Sequence, residues 1–466
     1  MKKNKNLVIV NSWYLLFIML FSVSCDRELS DDAQLATFSK DPNVFIDEFS
    51  AGLGYGAFSG SKYSAFSVDT QVKYQGSSSM RFDVPNEGDP AGGYAGGAFI
   101  DQSGRNLTEY DALTFWIKSS HAASLNEVGF GTDFGLNKFK VTLENVSITT
   151  NWQKIIIPIP DASKLTCEKG MLWYAEGPEN GLGYTFWIDN VKYEKLGTIA
   201  QGASLILNGS NVTQTTFVGM ETNITGVKAT FNLPNGVNQN LTISPAYLNF
   251  TSSNPSVATV NSSGVVNSIS AGTSLITANF NGIATTGSMT INCLGTFTQA
   301  PTPTRNQANV ISVFSDTYSN IPVNYYNGYW QPWQTTTSND FTVQGNNVLH
   351  YTNFNFVGIE FSSPTVNATN MTHLHIDAFI PGVIAPGRQL RVKVVDFGAN
   401  GVFSGGDDTT HSTTFTAPTL VSQAWIPIDI PFSTMTGLAS RAHLAQIILE
   451  GGDGSSIYVD NIYLYN

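Results

Sequence analysis

YTFWIDNVKYE, residues 184–194, and SSIYVDNIYLY, residues 455–465, carry one pattern: aromatic, Ile or Val, Asp, Asn, then Val or Ile. Runs rich in β-branched and aromatic residues between turn formers are strands. Each run closes a series of segments that occurs twice. NVFIDEFS from residue 43 parallels VISVFSDTYS from residue 310, and SSSMRFDV from 77 parallels NNVLHYTN from 346. NLTEYDALTFWIKS from 106 parallels NATNMTHLHIDAFIP from 367, and NWQKIIIPIP from 151 parallels QAWIPIDIPF from 423. Order and spacing agree along both series, offset by about 265 residues, which predicts two copies of one fold. Within the copies residues alternate: Leu113, Phe115 and Ile117 share one strand face, Thr114 and Trp116 the other. Many short strands with no long helical period predict antiparallel sandwiches. A single helix-like patch falls near residues 436–445.

The predicted class is all-β with three domains: two jelly-roll-like β-sandwiches, residues 43–197 and 306–466, flank an immunoglobulin-like sandwich at 198–294. Residues 295–305 hold APTPT, a Pro-rich and semi-rigid linker. At 466 residues the chain has room for these parts. Charged residues are only 12% and the net charge is −12, so nucleic acid and anionic lipid are excluded as ligands. A neutral polymer makes no such demand. Lys2, Lys3 and Lys5 precede an apolar run ending at Cys25, the layout of a secretory signal over residues 1–25. Residues 26–42 are an acidic, flexible tether. Cys167 and Cys293 fall in different predicted domains, so no disulfide between them is expected.

NYYNGYWQPW, residues 324–333, is the candidate functional stretch. Tyr325, Tyr326, Tyr329, Trp330 and Trp333 are aromatic, none of the ten residues is charged, and Gly328 and Pro332 break any regular element. Flat rings with polar tips suit the apolar face of a sugar, and Asn324, Asn327 and Gln331 suit its hydroxyls. The alternative is that the rings fold back and plug the end of a sandwich. A second candidate is the Gly-rich loop VDFGANGVFSGGDDTTH, residues 395–411, where Asp396, Asp407, Asp408 and His411 could meet sugar hydroxyls or a cation. The first copy offers Tyr55, Phe58, Tyr63, Phe66, Trp173 and Tyr174, for which burial is the simpler reading. His373 and His375 alternate on one strand, as a metal pair or as polar residues of a half-exposed strand. Catalytic motifs are missing: no run delivers two carboxylates about 5 Å apart on one strand. The second copy holds only Glu360 and Glu450 as glutamates. Asp189 and Asp460 sit within apolar terminal strands, and a buried carboxylate must be paired. Asp47 and Asp316 lie near the matching first strands. Their convergence on Ca²⁺ is expected, with Asp–Asn hydrogen bonding to a turn as the alternative.

Several of these segments resemble known families. Both copies look like β-sandwich carbohydrate-binding modules that end in an Ile/Val-Asp-Asn/Asp-Val strand, a likeness that implies a structural Ca²⁺. FTSSNPSVATVNSSGVVNSISAGTSLITANF, residues 250–280, resembles the bacterial immunoglobulin-like domain of group 2, which implies a spacer. Residues 301–466, with APTPTR, VISVFSDTYSNI, the Trp-bearing loop and YVDNIYLY, resemble modules beside glycoside hydrolase family 16 laminarinases of marine Bacteroidota. Cys25 resembles a lipobox cysteine, with Ser22 where the family usually has Leu. The acidic stretch behind it resembles the export signal of surface lipoproteins in that phylum. The whole chain is thus similar to surface glycan-binding lipoproteins in the SusE/SusF position. That resemblance implies a lipid anchor in the outer membrane at Cys25, a SusC/SusD-type uptake pair as partner, and a neutral polysaccharide ligand. By the same likeness the ligand is a β-1,3-glucan such as laminarin, bound without cleavage. An adhesion or stalk protein is the rival reading, and a glycoside hydrolase with an unfamiliar site the third.

Overall fold

The computed structural model describes residues 37–343 and 345–466. The expected signal of residues 1–25, with Cys25, and most of the tether 26–42 lie outside the described residues. The chain is all-β: strands are joined by turns, and the helical elements among the described residues are three-residue 3-10 turns. No helix there is long and apolar enough to cross a membrane. The helical patch expected near 436–445 is a turn leading into strand Leu444–Glu450, whose first six residues are all buried. A strand covered on both faces shows no alternation, so its apolar run cannot be told from a helix.

Residues up to 201, together with 231–243, group as one unit. One sheet orders Gln153–Pro158, Ala112–Ser119, Thr185–Glu194, Asn43–Ile46 and Glu48–Phe49, with Ser79–Asp83 and Phe66–Asp69 added beside Thr185–Glu194. The facing sheet runs Leu53–Ala57, Ala95–Arg105, Glu168–Glu176, Ala123–Phe130 and Val141–Ile148. Leu113, Phe115 and Ile117 point into the core and are fully buried, while Trp116 on the other face is half-buried. Strand Asn238–Ile243 pairs with Val141–Ile148 through Thr242 to Thr142 and Ile243 to Val141. It covers a sheet edge that would otherwise show unpaired N–H and C=O groups. The segment 198–294, expected as one domain, therefore gives residues 231–243 to the first sandwich.

Residues 202–230 and 244–466 form the second unit. Its smaller sandwich pairs Asn211–Thr216 in parallel with Ser288–Cys293, beside Gly272–Phe280 and Asn249–Ser252, opposite a sheet of Glu221–Asn223, Val265–Ser268 and Ala258–Val260. The larger sandwich has one sheet ordered Thr337–Val343, Asn346–Thr352, Ile457–Tyr465, His373–Phe379 and Trp425–Pro431, with Val310–Phe314 beside Ile457–Tyr465. Its other sheet runs Phe356–Glu360, Leu444–Glu450, Leu390–Asp396 and Thr409–Phe415. Val313, Tyr351, Ile376, Val394, Ile447 and Val459 fill the space between them.

Every residue of Ile457–Tyr465 is buried. On its outward face, Tyr458 packs with Phe217, Phe297, Phe341 and Phe379 in an aromatic cluster, while Trp425 Nε1 donates to the Thr298 carbonyl at 2.6 Å. Farther along, Arg305 lies 3.5 Å over the Tyr465 ring. Tyr318 hydroxyl donates to the Arg305 carbonyl, and Asn461 Nδ2 to that of Pro301. The stretch expected as a semi-rigid linker is in its last residues, 301–305, a strap laid over this sheet. The tyrosine faces at 463 and 465, which the strap helps to bury, supply the reason, since covering them is favourable by roughly 25 cal/mol per Å². Cys167 and Cys293 are free thiols.

Candidate functional site

The aromatic stretch 324–333 starts as an added strand. Asn324 N–H donates to the Glu360 carbonyl at 2.8 Å, Glu360 N–H returns to Tyr325 at 3.0 Å, and Gly328 N–H reaches Gly358 at 3.1 Å. In an extended stretch neighbours point to opposite sides, so Tyr325 and Tyr326 part. Tyr326 turns inward, donates to the Val313 carbonyl at 3.0 Å and packs on Phe314. Its predicted role as a stacking ring is thereby corrected. The chain then turns at Tyr329, φ 46°, and closes with Gln334 N–H on the Trp330 carbonyl and Trp330 N–H on Gln334 Oε1. Buried Gln334 and Asn327 brace this turn from within: Asn327 Oδ1 accepts from Tyr329 N–H and from Gln334 Nε2. Asn327 is therefore spent on the loop rather than offered to a ligand, and Asn324 Oδ1 is likewise held by Ser362 N–H.

Trp330 lies flat on the sheet. A Cβ at Gly358 would collide with its indole, so the strand there must carry glycine. Its Nε1 donates to Tyr325 hydroxyl at 3.3 Å, which donates to Glu360 Oε2 at 2.6 Å. Gln446 Nε2 and Ser362 hydroxyl also donate to Glu360, at 2.8 and 2.6 Å. Burial works against the charge on Glu360, but the bonds from Ser362, Tyr325 and Gln446 outweigh it and hold the carboxyl below its usual range. Burial, then Glu360, push the Tyr325 phenol up to about 12. Trp333, by contrast, is 73% exposed. Tyr329 is half-exposed, with its hydroxyl 2.8 Å from that of Ser338.

Tyr325, Trp330 and Trp333, without Tyr329, form one side of a cleft of ≈ 830 Å³. Its floor is the outward face of the four-stranded sheet. Val357, Ile359, Val394, Ile447 and Leu449 point to the core, so their neighbours Phe356, Glu360, Val395, Gln446 and Ile448 point into the cleft. Cross-strand register sets two rows: Glu360, Gln446, Val395 and Thr410 in one, and Gly358, Ile448, Lys393 and Ser412 in the other. Lys393 makes no ion pair among the described residues. The opposite wall comes from the Gly-rich loop: Phe403, 65% exposed, and Asp408. Asp408 Oδ2 accepts from Ser404 N–H, whereas Asp407 is held by Asn400. Asp396 is buried and accepts from Gly398 and His443 N–H, and His411 Nδ1 accepts from Gly437 N–H. Of the predicted binding residues, Tyr325, Trp330, Gln331 and Trp333 line the cleft. Phe356, Phe403, Lys393 and Gln446 were not foreseen. An isolated Phe within a Gly-rich, acidic loop was the one available signal.

The predicted cation ligands are placed as N–H acceptors. Asp189, fully buried, accepts from Tyr74 N–H at 2.7 Å, Gln75 N–H at 3.2 Å and Asn190 N–H at 2.7 Å. Asp47 accepts from Ser77 and Ser78 N–H. Asp316 accepts from Asn347 N–H at 2.6 Å and its amide at 3.1 Å, and Asp460 from Asn346 Nδ2 at 3.1 Å and Asn461 N–H at 2.7 Å. Burial raises Asp189 and pushes Asp460 up to about 6. These N–H bonds use part of each carboxylate's acceptor capacity and leave lone pairs for a cation. No three acidic, His or Cys side chains cluster as a metal shell among the described residues. Hydrogen bonding to a turn, the alternative expectation, is present at Asp189 and Asp460, and Asp47 and Asp316 lie near enough to push these carboxyls up further. His373 and His375 stack on Tyr465 and Tyr463, and His375 bridges Asp377 and Asp429, so they share no metal.

In the first sandwich its own rings occupy much of the corresponding sheet face, beside a small pocket lined by Tyr94, Asn126, Glu127, Glu144 and Glu176. Trp173 is 2% exposed, with Phe58 against it and Lys140 4.0 Å over it, and Phe134 meets Phe58 edge-on. Tyr174 is buried with its hydroxyl 2.9 Å from that of Tyr55, Phe66 packs on Phe49 and Phe99, and Tyr63 is exposed.

Residues 41–195 match the family described as Carbohydrate binding domain 30. Among solved structures, the family 30 module of a Clostridium thermocellum cellulosomal cellulase is 17% identical over 34% of this chain and 95% of its own, with a TM-score of 0.23. A family 11 module from the same organism, solved with a β-1,3-1,4-mixed-linked tetrasaccharide, is 19% identical over 34% and 96%, TM-score 0.25. The tandem family 22 modules of Paenibacillus barcinonensis Xyn10C are 12% identical over 93% and 99%, TM-score 0.22. No curated protein matches. The first sandwich is thus similar in sequence to a carbohydrate-binding family.

Proposed function

We propose that the chain binds a neutral polysaccharide in the cleft of the second sandwich without cleaving it. The observation that carries this is a free indole, Trp333, facing an apolar floor with Phe403 on the other rim. Sugar rings would slot between the rims, their CH faces on the aromatics and their hydroxyls on Gln331, Gln446, Lys393 and Asp408. Glu360 works through others: its carboxylate fixes Tyr325, and through it Trp330. With its carboxyl held low and both oxygens engaged, Glu360 is unsuited to the proton-donor role a hydrolase needs. The ligand is a β-1,3-glucan such as laminarin, presented at the cell surface from a lipid anchor at Cys25 to a SusC/SusD-type pair. Support comes from APTPTR, VISVFSDTYSNI and YVDNIYLY, which resemble modules beside laminarinases, and from Cys25 with the acidic stretch behind it, which resembles a surface-lipoprotein signal.

The test is retention of the full chain in native gels cast with laminarin, mixed-linkage glucan, xylan or mannan. Slowing by laminarin, weakened in Trp333→Ala, supports the reading. Equal mobility in all gels overturns it, and reducing ends released from laminarin overturn the non-catalytic part. A stalk or adhesin would show neither.

A further inference from the structure

The first sandwich holds a second set of rings, on the sheet opposite that of Trp173. Trp116 stands on the outward side of Ala112–Ser119, behind the buried Leu113, Phe115 and Ile117. Tyr74 stacks on it with ring centres 3.9 Å apart and planes 12° apart. Trp152 meets Tyr74 at 5.9 Å and 65°. Tyr74 is 38% exposed, and both indoles are half-buried. The loop that carries Tyr74 is pinned from beneath: Asp189 takes the N–H groups of Tyr74 and Gln75, and Asp47 those of Ser77 and Ser78. Gly76 is required there, with φ +74° and no room for a Cβ against the Asp47 carboxylate. The two acids thus hold a tyrosine ring in a fixed place.

The second copy shows what this face does elsewhere. Trp116 is the cross-strand partner of Asp189, and Asp377 is that of Asp460. Asp377 is 2% exposed and lies under the strap of residues 301–305. In the first copy the segment before the first strand goes elsewhere: Arg105 binds the Asp41 carbonyl, and Tyr110 hydroxyl that of Lys40. Position 116 is left with an indole topped by Tyr74 alone. We propose that Tyr74, Trp116 and Trp152 form a second saccharide platform, with Tyr74 as floor, Trp152 as wall, and the amides of Gln75 and Asn190 at the side. Those amides are 3.4 Å apart, uncharged, and able to donate or accept. Three rings at a sheet edge are far smaller than the ~800 Å² per side that a stable protein partner covers. One or two pyranose rings fit that area. Stacked and pinned rings also need no ordering when a sugar arrives. The assignment uses none of the residues of the cleft, so either site can fail alone.

The experiment uses the full chain in four forms: wild type, Trp333→Ala, Tyr74→Ala and the double variant, each titrated with laminarin and with mixed-linkage glucan. Tyr74→Ala weakens binding about tenfold at this platform, the loss expected for one uncovered ring face. Residual retention in Trp333→Ala then disappears in the double variant. Trp152→Ala, at the edge of the stack, must repeat the effect should Tyr74→Ala lower the melting temperature. Quenching of indole fluorescence by either glucan in Trp333→Ala, absent from the double variant, would place the sugar on these rings. A double variant indistinguishable from Trp333→Ala on both glucans overturns the proposal. Binding lost in Tyr74→Ala but unchanged in Trp333→Ala supports it and removes the cleft instead.

Discussion

Trp333→Ala separates a binding ring from a packing ring. The side chain is 73% exposed, and its neighbours hold the loop by its main chain: Asn355 Nδ2 donates to the Trp333 carbonyl at 2.8 Å. Truncation leaves that bond in place, so stability should change by less than about 0.5 kcal/mol, as at an ordinary surface site. Binding is another matter. A sugar covering one indole face removes roughly 80 Å² of apolar surface from water, about 2 kcal/mol at 25 cal/mol per Å². Losing it weakens the dissociation constant roughly 30-fold. Titration calorimetry with a laminarin oligosaccharide reads the affinity, and a thermal melt reads the stability. Trp330→Ala is the contrast. Its ring is packed on Gly358 and bonded to Tyr325, so it should lose affinity together with roughly 2 kcal/mol of stability. Unchanged affinity in Trp333→Ala refutes the cleft, and an affinity that falls only in step with melting assigns the ring to the core.

Gly358→Ala should destabilise the second unit by roughly 1–3 kcal/mol, read by thermal melt, because the new methyl drives Trp330 off the sheet. Glu360 has its carboxyl held below the ordinary value, so its contribution is present above about pH 4.3 and fades as pH falls through the lower, folded value. Laminarin affinity measured from pH 6 down to 3.5 should drop at the acid end, and Glu360→Gln should flatten the profile. Glu168 and Glu176 run the other way: burial pushes both up to about 7. Their stabilising state is complete below the ordinary value and is lost as pH rises through about 7, on the order of 3 kcal/mol each. The first unit should therefore melt lower at pH 8 than at pH 5, and Glu176→Gln should recover part of the difference. A chelator should leave melting unchanged, since Asp47, Asp189, Asp316 and Asp460 already accept N–H bonds. A fall in melting temperature reversed by Ca²⁺ would return that ion to the sandwiches.

The terminal strands were legible because their signal is local. Alternating apolar residues and a following Asp-Asn pair depend on nothing distant. The loop 324–333 was half legible for a related reason: its composition shows that rings must be placed, but only register decides which way each faces. Tyr325 and Tyr326 are neighbours in sequence and lie on opposite sides of the sheet edge. The floor of the cleft was not legible. Phe356, Val395, Gln446 and Ile448 are ordinary outward strand positions, and they become a site only because the loops carrying Trp330, Trp333 and Phe403 wall them in. Asp189 was read as a cation ligand on the sound ground that a buried carboxylate needs a partner. The sequence could not show that the partner is the main chain of residues 74 and 75, which are 115 and 114 positions away.

The two copies of one sandwich expose different sets of aromatic rings. In the second, the strap and the cluster around Tyr458 cover the sheet that holds the terminal strand, and the other sheet is left open with Trp333 and Phe403 at its rims. In the first, Phe58, Phe134 and Trp173 lie on that other sheet, and a further set of rings stands behind the terminal strand at Tyr74 and Trp116. A covered face cannot bind, so the strap in one copy and the ring packing in the other each narrow what the scaffold offers a ligand. Neither choice touches the shared core, which explains how the repeat stays readable in the strands while the surfaces diverge. It also explains why the buried acid of the terminal strand, the most alike feature of the two copies, has unlike work: Asp189 positions a ring, and Asp460 bonds the Asn346 amide. If both open faces take the same polymer, each weak contact raises the effective concentration at the other, and apparent affinity gains roughly 10²–10⁴ without any new contact. Two modest sites on one chain are then worth more than one improved site, and that is a physical reason for the duplication to persist with different rings exposed.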